Sequence, residues 1–146
     1  LERSGAIDEA ITAFQAILAE DPANADAANY LGYLWADRNE ELHRALELIQ
    51  MAVEQRPDSA AYLDSLGWVH YRLGNLEQAE HWLRRSVELG GSGDGTVLAH
   101  LGEVLAAVGR EDEARDLLRR ALDLGPEHPD LVRELLEQLD GADDRQ

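Results

Sequence analysis

Apolar and small residues recur in this chain three and four positions apart, the spacing of one helix face. Leu66, Gly67 and His70 fall together in this way, as do Leu31, Gly32 and Trp35, and Leu101, Gly102 and Leu105. A second run follows each of these, with Ala79, Leu83, Ser86 and Val87 on its apolar stripe in the best-defined copy. The pattern therefore predicts pairs of helices written out several times. Residues 63–89 read LDSLGWVHYRLGNLEQAEHWLRRSVEL, and thirty-five positions later residues 98–124 read LAHLGEVLAAVGREDEARDLLRRALDL.

Aligning the copies shows what is kept. Leu66-Gly67 falls on Leu101-Gly102, Gly74 on Gly109, Ala79 on Ala114, Leu83 on Leu118, Arg84-Arg85 on Arg119-Arg120, and Val87 on Leu122. A third copy lies upstream with Leu31-Gly32, Ala45, Ile49, Ala52 and Pro57, and a half copy precedes it with Gly5, Ala10, Phe14, Ile17 and Pro22. A glycine inside a helix costs about 1 kcal/mol against alanine. Its return at Gly32, Gly67 and Gly102 predicts a second helix approaching closely at each of them. Gly74 and Gly109 stand where a helix ends in the left-handed region, and Pro22, Pro57 and Pro126 stop each pair. Eight helices are predicted, over roughly 6–20, 24–38, 41–55, 59–73, 76–89, 96–108, 111–124 and 127–139.

These marks resemble those of the tetratricopeptide repeat (TPR) family: the LG pairs, the alanines Ala10, Ala45, Ala79 and Ala114, Phe14, and the prolines. There are departures. Ala28, Leu63 and Leu98 stand where the family usually has Trp; the loop 37–42 is one residue longer than in the sister copies; and the copy at 63–89 is followed by a Gly-rich run over 90–95 in place of a proline. The resemblance implies an all-α fold, a right-handed α-α superhelix of about three and a half repeats with a C-terminal capping helix. It would form a single domain over 1–146: a half repeat at 5–23, repeats at 25–58, 60–93 and 95–128, a capping helix at 127–139 carrying Leu131, Leu135 and Leu139, and a tail at 140–146. Ile7, Ile11, Phe14 and Leu18 of the half repeat would be covered on one side only, by the pair that follows.

Composition narrows the partners. The formal charge is −17, which repels nucleic acid and disfavours anionic membrane surfaces. No apolar run reaches the roughly 18–20 residues that cross a membrane, so direct membrane insertion by this segment is not expected. The absence of cysteine removes disulfides, zinc–thiolate sites and thiol catalysis. The chain begins at Leu1 rather than Met and is expected to be a fragment.

In such a solenoid the first helix of each pair lines a concave surface. The stripe beside the core face holds Asp64, Trp68, Tyr71 and Arg72 in one copy; Asn29, Tyr33, Ala36 and Asp37 in another; and Ala99, Glu103, Ala106 and Ala107 in the third. Here the copies disagree, as surface freed from packing can. Trp and Tyr are enriched at interfaces, so Trp68, Tyr71 and Tyr33 are candidate groove residues, the alternative being that they pack on a neighbouring repeat. The candidate partner-binding groove is Asn29, Tyr33, Asp37, Asp64, Trp68, Tyr71, Arg72, His100 and Glu103. Asn29, Asp64 and Glu103 offer acceptors to a peptide backbone or to basic side chains. The family's clamp for chaperone C-terminal carboxylates would find only Asn29 and Arg72 here, with Asp64 and Glu103 repelling it. An extended neutral or basic segment, or another protein's helix, suits the stripe better.

No catalytic chemistry is expected. His43, His70, His81, His100 and His128 fall on different repeats and helices, and His70 replaces the apolar Trp35 and Leu105 of its sister copies. His100 and Glu103 share a helix three residues apart, but two ligands do not make a metal site. Ser65 and Ser86 lack a matched base and acid, and the glycine run over 90–95 lacks the Lys and Ser/Thr of a phosphate loop. No cofactor and no metal are implied.

The chain also looks like the C-terminal repeats of bacterial envelope TPR proteins over 25–139. These include outer-membrane lipoproteins, one an adaptor that delivers substrates to a periplasmic carboxyl-terminal processing protease. That likeness implies a scaffold or adaptor binding a protein or peptide partner, periplasmic or outer-membrane-associated, with a cytoplasmic scaffold as the alternative. The rival expectation is structural: terminal repeats of a longer solenoid that self-associate through the N-terminal half repeat.

Overall fold

The computed structural model describes residues 2–144, and among them there are eight α-helices and no strand. They are α1 (Glu2–Glu20), α2 (Ala25–Asp37), α3 (Leu42–Gln55), α4 (Ala60–Arg72), α5 (Leu76–Glu88), α6 (Gly95–Ala107), α7 (Glu111–Leu124) and α8 (Pro129–Asp144), with a 3-10 turn at Gly91–Gly93. The tight pairs are α2 with α3, α4 with α5 and α6 with α7, and these hairpins stack in chain order through α3 on α4 and α5 on α6. The first helices of the pairs also touch one another, α2 on α4 and α4 on α6, with α8 next to α6. Those four helices form the inner wall of an α-α solenoid.

The predicted elements are present with small shifts. Residues 140–146, expected as a tail, instead continue α8 to Asp144; residues 145–146 lie outside the described residues. Within the Gly-rich run that connects α5 to α6, Gly91–Gly93 form a 3-10 turn whose Gly91 is buried.

Local chemistry explains where the helices start and stop. The three inner-wall helices of the repeats each have a side-chain cap: Asn24 Oδ1 accepts from Ala27 N at 2.9 Å, Ser59 Oγ from Tyr62 N at 3.2 Å, and Asp94 Oδ1 from Thr96 N at 2.9 Å. Their C-terminal ends close identically. Asn75 N donates to His70 O and Gly74 N to Tyr71 O; Arg110 N donates to Leu105 O and Gly109 N to Ala106 O. That paired 6→1 and 5→2 bonding needs a residue at positive φ, supplied by Gly74 (84°) and Gly109 (91°). The first repeat achieves the same turn with Asn39 at φ 59°, Asn being the non-glycine residue that best tolerates it.

The recurring helix glycines are contact points. A Cβ on Gly32 would lie 2.6 Å from Ile49 Cγ1, one on Gly67 2.6 Å from Leu83 Cγ, and one on Gly102 2.8 Å from Leu118 Cδ2. Around these contacts lie the buried Ala45, Ile49, Ala79, Leu83, Ala114 and Leu118 of the outer helices. The buried Arg115 fastens α8: its Nη2 donates to Leu139 O at 3.1 Å and its Nε lies 3.3 Å from Asp140 Oδ1.

Candidate functional site

The nine residues expected to line a groove do meet on the inner wall, but several are sealed there rather than presented. Trp68 is only 3% exposed. Its indole stacks on the His100 imidazole with centroids 3.9 Å apart and on the Tyr71 ring at 5.0 Å, and the Arg72 guanidinium lies 4.8 Å from its centroid. Its Nε1–H donates to Asp37 Oδ1 at 3.3 Å. The expectation of a solvent-facing Trp68 is therefore corrected. Each repeat supplies part of its cover: Asp37 from the one before, His100 from the one after.

The same correction holds for Asn29, Asp64 and His100, all buried. Asp64, expected to await a partner's donor, is occupied from within by His100 Nδ1 at 2.8 Å. Burial opposes charge on this imidazole, but the Asp64 carboxylate and its hydrogen bond, with Asp37 and Glu103 behind, outweigh it and push the His100 pKa up. Asn29 differs, because its Oδ1 is buried and has no hydrogen-bond partner among the described residues.

Tyr33, Asp37, Tyr71, Arg72 and Glu103 are half-buried. Tyr71 O–H donates to Glu103 at 3.3 Å, and burial followed by the Glu103 charge pushes its pKa up to about 12. Arg72 Nη2 donates to Asp37 O at 3.1 Å. Tyr33 O–H donates to Glu127 Oε2 at 2.8 Å, across 94 positions of sequence. Burial, then Asp37, Glu127 and Asp64, push the Tyr33 phenol far above its usual range, so it stays a hydrogen-bond donor.

Glu127 and His128 were not foreseen. They belong to the connector between α7 and α8, and both reach α2: Glu127 to Tyr33, and His128 Nε2 to Asp37 Oδ2 at 3.1 Å. The connector is itself fixed where Glu127 N donates to Thr96 Oγ1 at 2.9 Å. No sequence signal marks this contact, because it depends on the curvature of the stack. It leaves two cavities, and Glu127 lines both.

One cavity, about 390 Å³, lies among α4, α6 and α8. Asp37, Glu103, Glu127 and Glu134 give it four carboxylates against the single guanidinium of Arg72, and Leu131, Val132 and Leu135 give it an apolar side. Leu131 is 62% exposed. The other, about 450 Å³, lies between α2 and α4 and the turn before α6, with Asn29, Tyr30, Tyr33 and Asp64 in its wall.

Three models of the tetratricopeptide repeat match the chain, over residues 1–60, 39–92 and 96–137. A TPR repeat-containing protein of Pseudomonas aeruginosa is 46% identical over 87 residues, which are 60% of this chain and 14% of that protein. A protein O-mannosyl-transferase of Homo sapiens is 32% identical over 101 residues, 66% of this chain and 12% of that protein. The chain thus spans about one seventh or less of the length of these curated relatives. Among solved structures, a thermophilic TPR protein of Thermus thermophilus superposes with a TM-score of 0.72 at 23% identity, covering 94% of this chain and 74% of that one. A crystal structure of the MamA protein superposes at 0.65 with 19% identity, covering 99% and 92%. At these identities the structural likeness shows the fold.

Proposed function

We infer the function from the premise that this chain belongs to the tetratricopeptide repeat family, whose fold generally mediates protein–protein interaction. The proposed role is a scaffold that holds an extended partner segment carrying a basic side chain beside an apolar one. The observation that supports this most is the cavity against α8, where four carboxylates face one arginine and Leu131, Val132 and Leu135 offer an apolar wall. Asn29 adds a second point of attachment. A buried acceptor without a partner is costly, and a peptide N–H entering the neighbouring cavity would satisfy it.

The test is anisotropy with labelled extended peptides that differ only in charge. Basic–apolar peptides should bind more tightly than their acidic counterparts. Charge reversal at the exposed Glu134→Lys should weaken them about tenfold, with the helical melt unchanged. Equal binding of acidic and basic peptides would sink the proposal. The envelope setting, including delivery of substrates to a periplasmic protease, rests on sequence likeness alone; fractionation of cells expressing the full-length protein tests it.

A second reading, self-association, is favoured by one observation. At the N-terminal end Phe14 stacks on Tyr30 at 5.4 Å, yet Tyr30 remains 53% exposed, and Ile17, one turn on from Phe14 in α1, 42%. If that patch joins two copies, Ile17→Glu should convert a sedimenting dimer to monomer; a monomeric wild type would exclude it.

A further inference from the structure

We propose that Asp37, Glu127 and His128 form a binding site for a first-row divalent cation of the zinc class. One ligand atom from each lies within 4.8 Å of the others. His128 Nε2 stands 3.1 Å from Asp37 Oδ2 and 3.6 Å from Glu127 Oε1. Two ligands on one zinc ion, each bound at about 2.0–2.1 Å, sit roughly 3–3.5 Å apart, so these separations are close to those of a coordinated set.

The outer oxygens of both carboxylates are held by neutral donors. Trp68 Nε1–H donates to Asp37 Oδ1 at 3.3 Å, and Tyr33 O–H donates to Glu127 Oε2 at 2.8 Å. Each bond fixes its carboxylate and leaves the inner oxygen toward the imidazole. Such supporting hydrogen bonds orient the ligands of metal sites. Arg72 approaches Asp37 on the Oδ1 side, at 3.9 Å, away from the inner oxygen. Asp37 is also the last residue of α2, where the helix carbonyls favour positive charge. One imidazole with two carboxylates is a borderline N/O set that suits zinc better than magnesium.

A cation here would take the place of the proton between His128 and Asp37. It would staple the α7–α8 connector to the first repeat, at the rim shared by both cavities. Such a cation would take up two of the four carboxylates of the cavity against α8, leaving Glu103 and Glu134 for a basic side chain, and the metal site itself stands whatever those cavities bind.

The experiment is calorimetric titration of the untagged chain with zinc chloride, then with magnesium chloride, in a non-chelating buffer. One zinc per chain is expected, with no magnesium heat and a rise in melting temperature on zinc addition. His128→Ala should abolish the site, Glu127→Gln, which keeps the side-chain shape, should weaken it, and Tyr33→Phe, which removes one supporting donor, should cost about tenfold or more. Absence of zinc binding in the wild type would overturn the proposal. So would a stoichiometry and affinity unchanged in folded His128→Ala and Glu127→Gln, which would place the ion on other surface groups.

Discussion

The Trp68 indole and the His100 imidazole stack with centroids 3.9 Å apart and planes 18° from parallel, the first from α4 and the second from α6. The contact joins adjacent repeats across the inner wall and makes Trp68 part of the packing. Trp68→Ala should therefore lower stability by about 3–5 kcal/mol, the range for truncating a buried Trp. Urea denaturation monitored by circular dichroism checks this. A variant that melts like the wild type and loses only partner binding would show that the ring is not structural.

The contrast with the helix glycines explains which parts of the structure were legible in the sequence. Gly32, Gly67 and Gly102 answer to Ile49, Leu83 and Leu118 of the outer helix in the same hairpin, a local relation that each copy must reproduce. It therefore leaves a repeated mark. The burial of Trp68 depends on Asp37 one repeat back and His100 one repeat on, residues that the other copies do not share. Disagreement between the copies on the inner wall reads as free surface, although it reflects specific contacts between unlike neighbours. Glu127 and His128 were further out of reach, because only the curvature of the whole stack brings the end of the third repeat to Tyr33 and Asp37.

Two glycine-to-alanine changes should move stability in opposite directions. At Gly67 the added methyl would meet Leu83 Cγ at 2.6 Å, with Ala79 O at 3.1 Å behind it. Overpacking of this kind costs typically about 1–3 kcal/mol, and the gain of about 1 kcal/mol in helix propensity offsets only part of it. At Gly5, inside α1, nothing lies within 4 Å of the added Cβ, so propensity acts alone and should stabilise by about 1 kcal/mol. Thermal melts of the two variants test both signs. Stabilisation by Gly67→Ala would mean that the hairpin can spread at no cost.

The helix-end glycines isolate backbone strain from crowding. A Cβ at Gly74 or Gly109 has open space around it, yet φ is 84° and 91°. Gly74→Ala should still destabilise, by about 1–2 kcal/mol, because an L side chain is strained in that region. Gly74→Asn should cost less, since Asn39 already holds the equivalent turn of the first repeat at φ 59°. Equal melting temperatures for the Ala and Asn variants would contradict the strain account.

Two histidines should make stability depend on pH with opposite signs. His70 is half-buried, and that burial lowers its pKa below the ordinary 6.5. The native state then holds fewer protons than the unfolded chain, so His70 stabilises above about pH 6.5 and the contribution is lost as pH falls through its lowered pKa. His100 is opposite. Burial opposes its charge, but Asp64 at 2.8 Å, reinforced by Asp37 and Glu103, raises its pKa. The native state binds the extra proton, so this stabilisation is complete below about pH 6.5 and is lost as pH rises through the raised value. Urea midpoints collected from pH 5 to 9 in a chelating buffer should therefore lose their alkaline-side decline in His100→Asn and keep their acid-side decline. His70→Leu should do the reverse. A His100→Asn profile parallel to the wild type would mean that the pair with Asp64 carries no proton linked to folding.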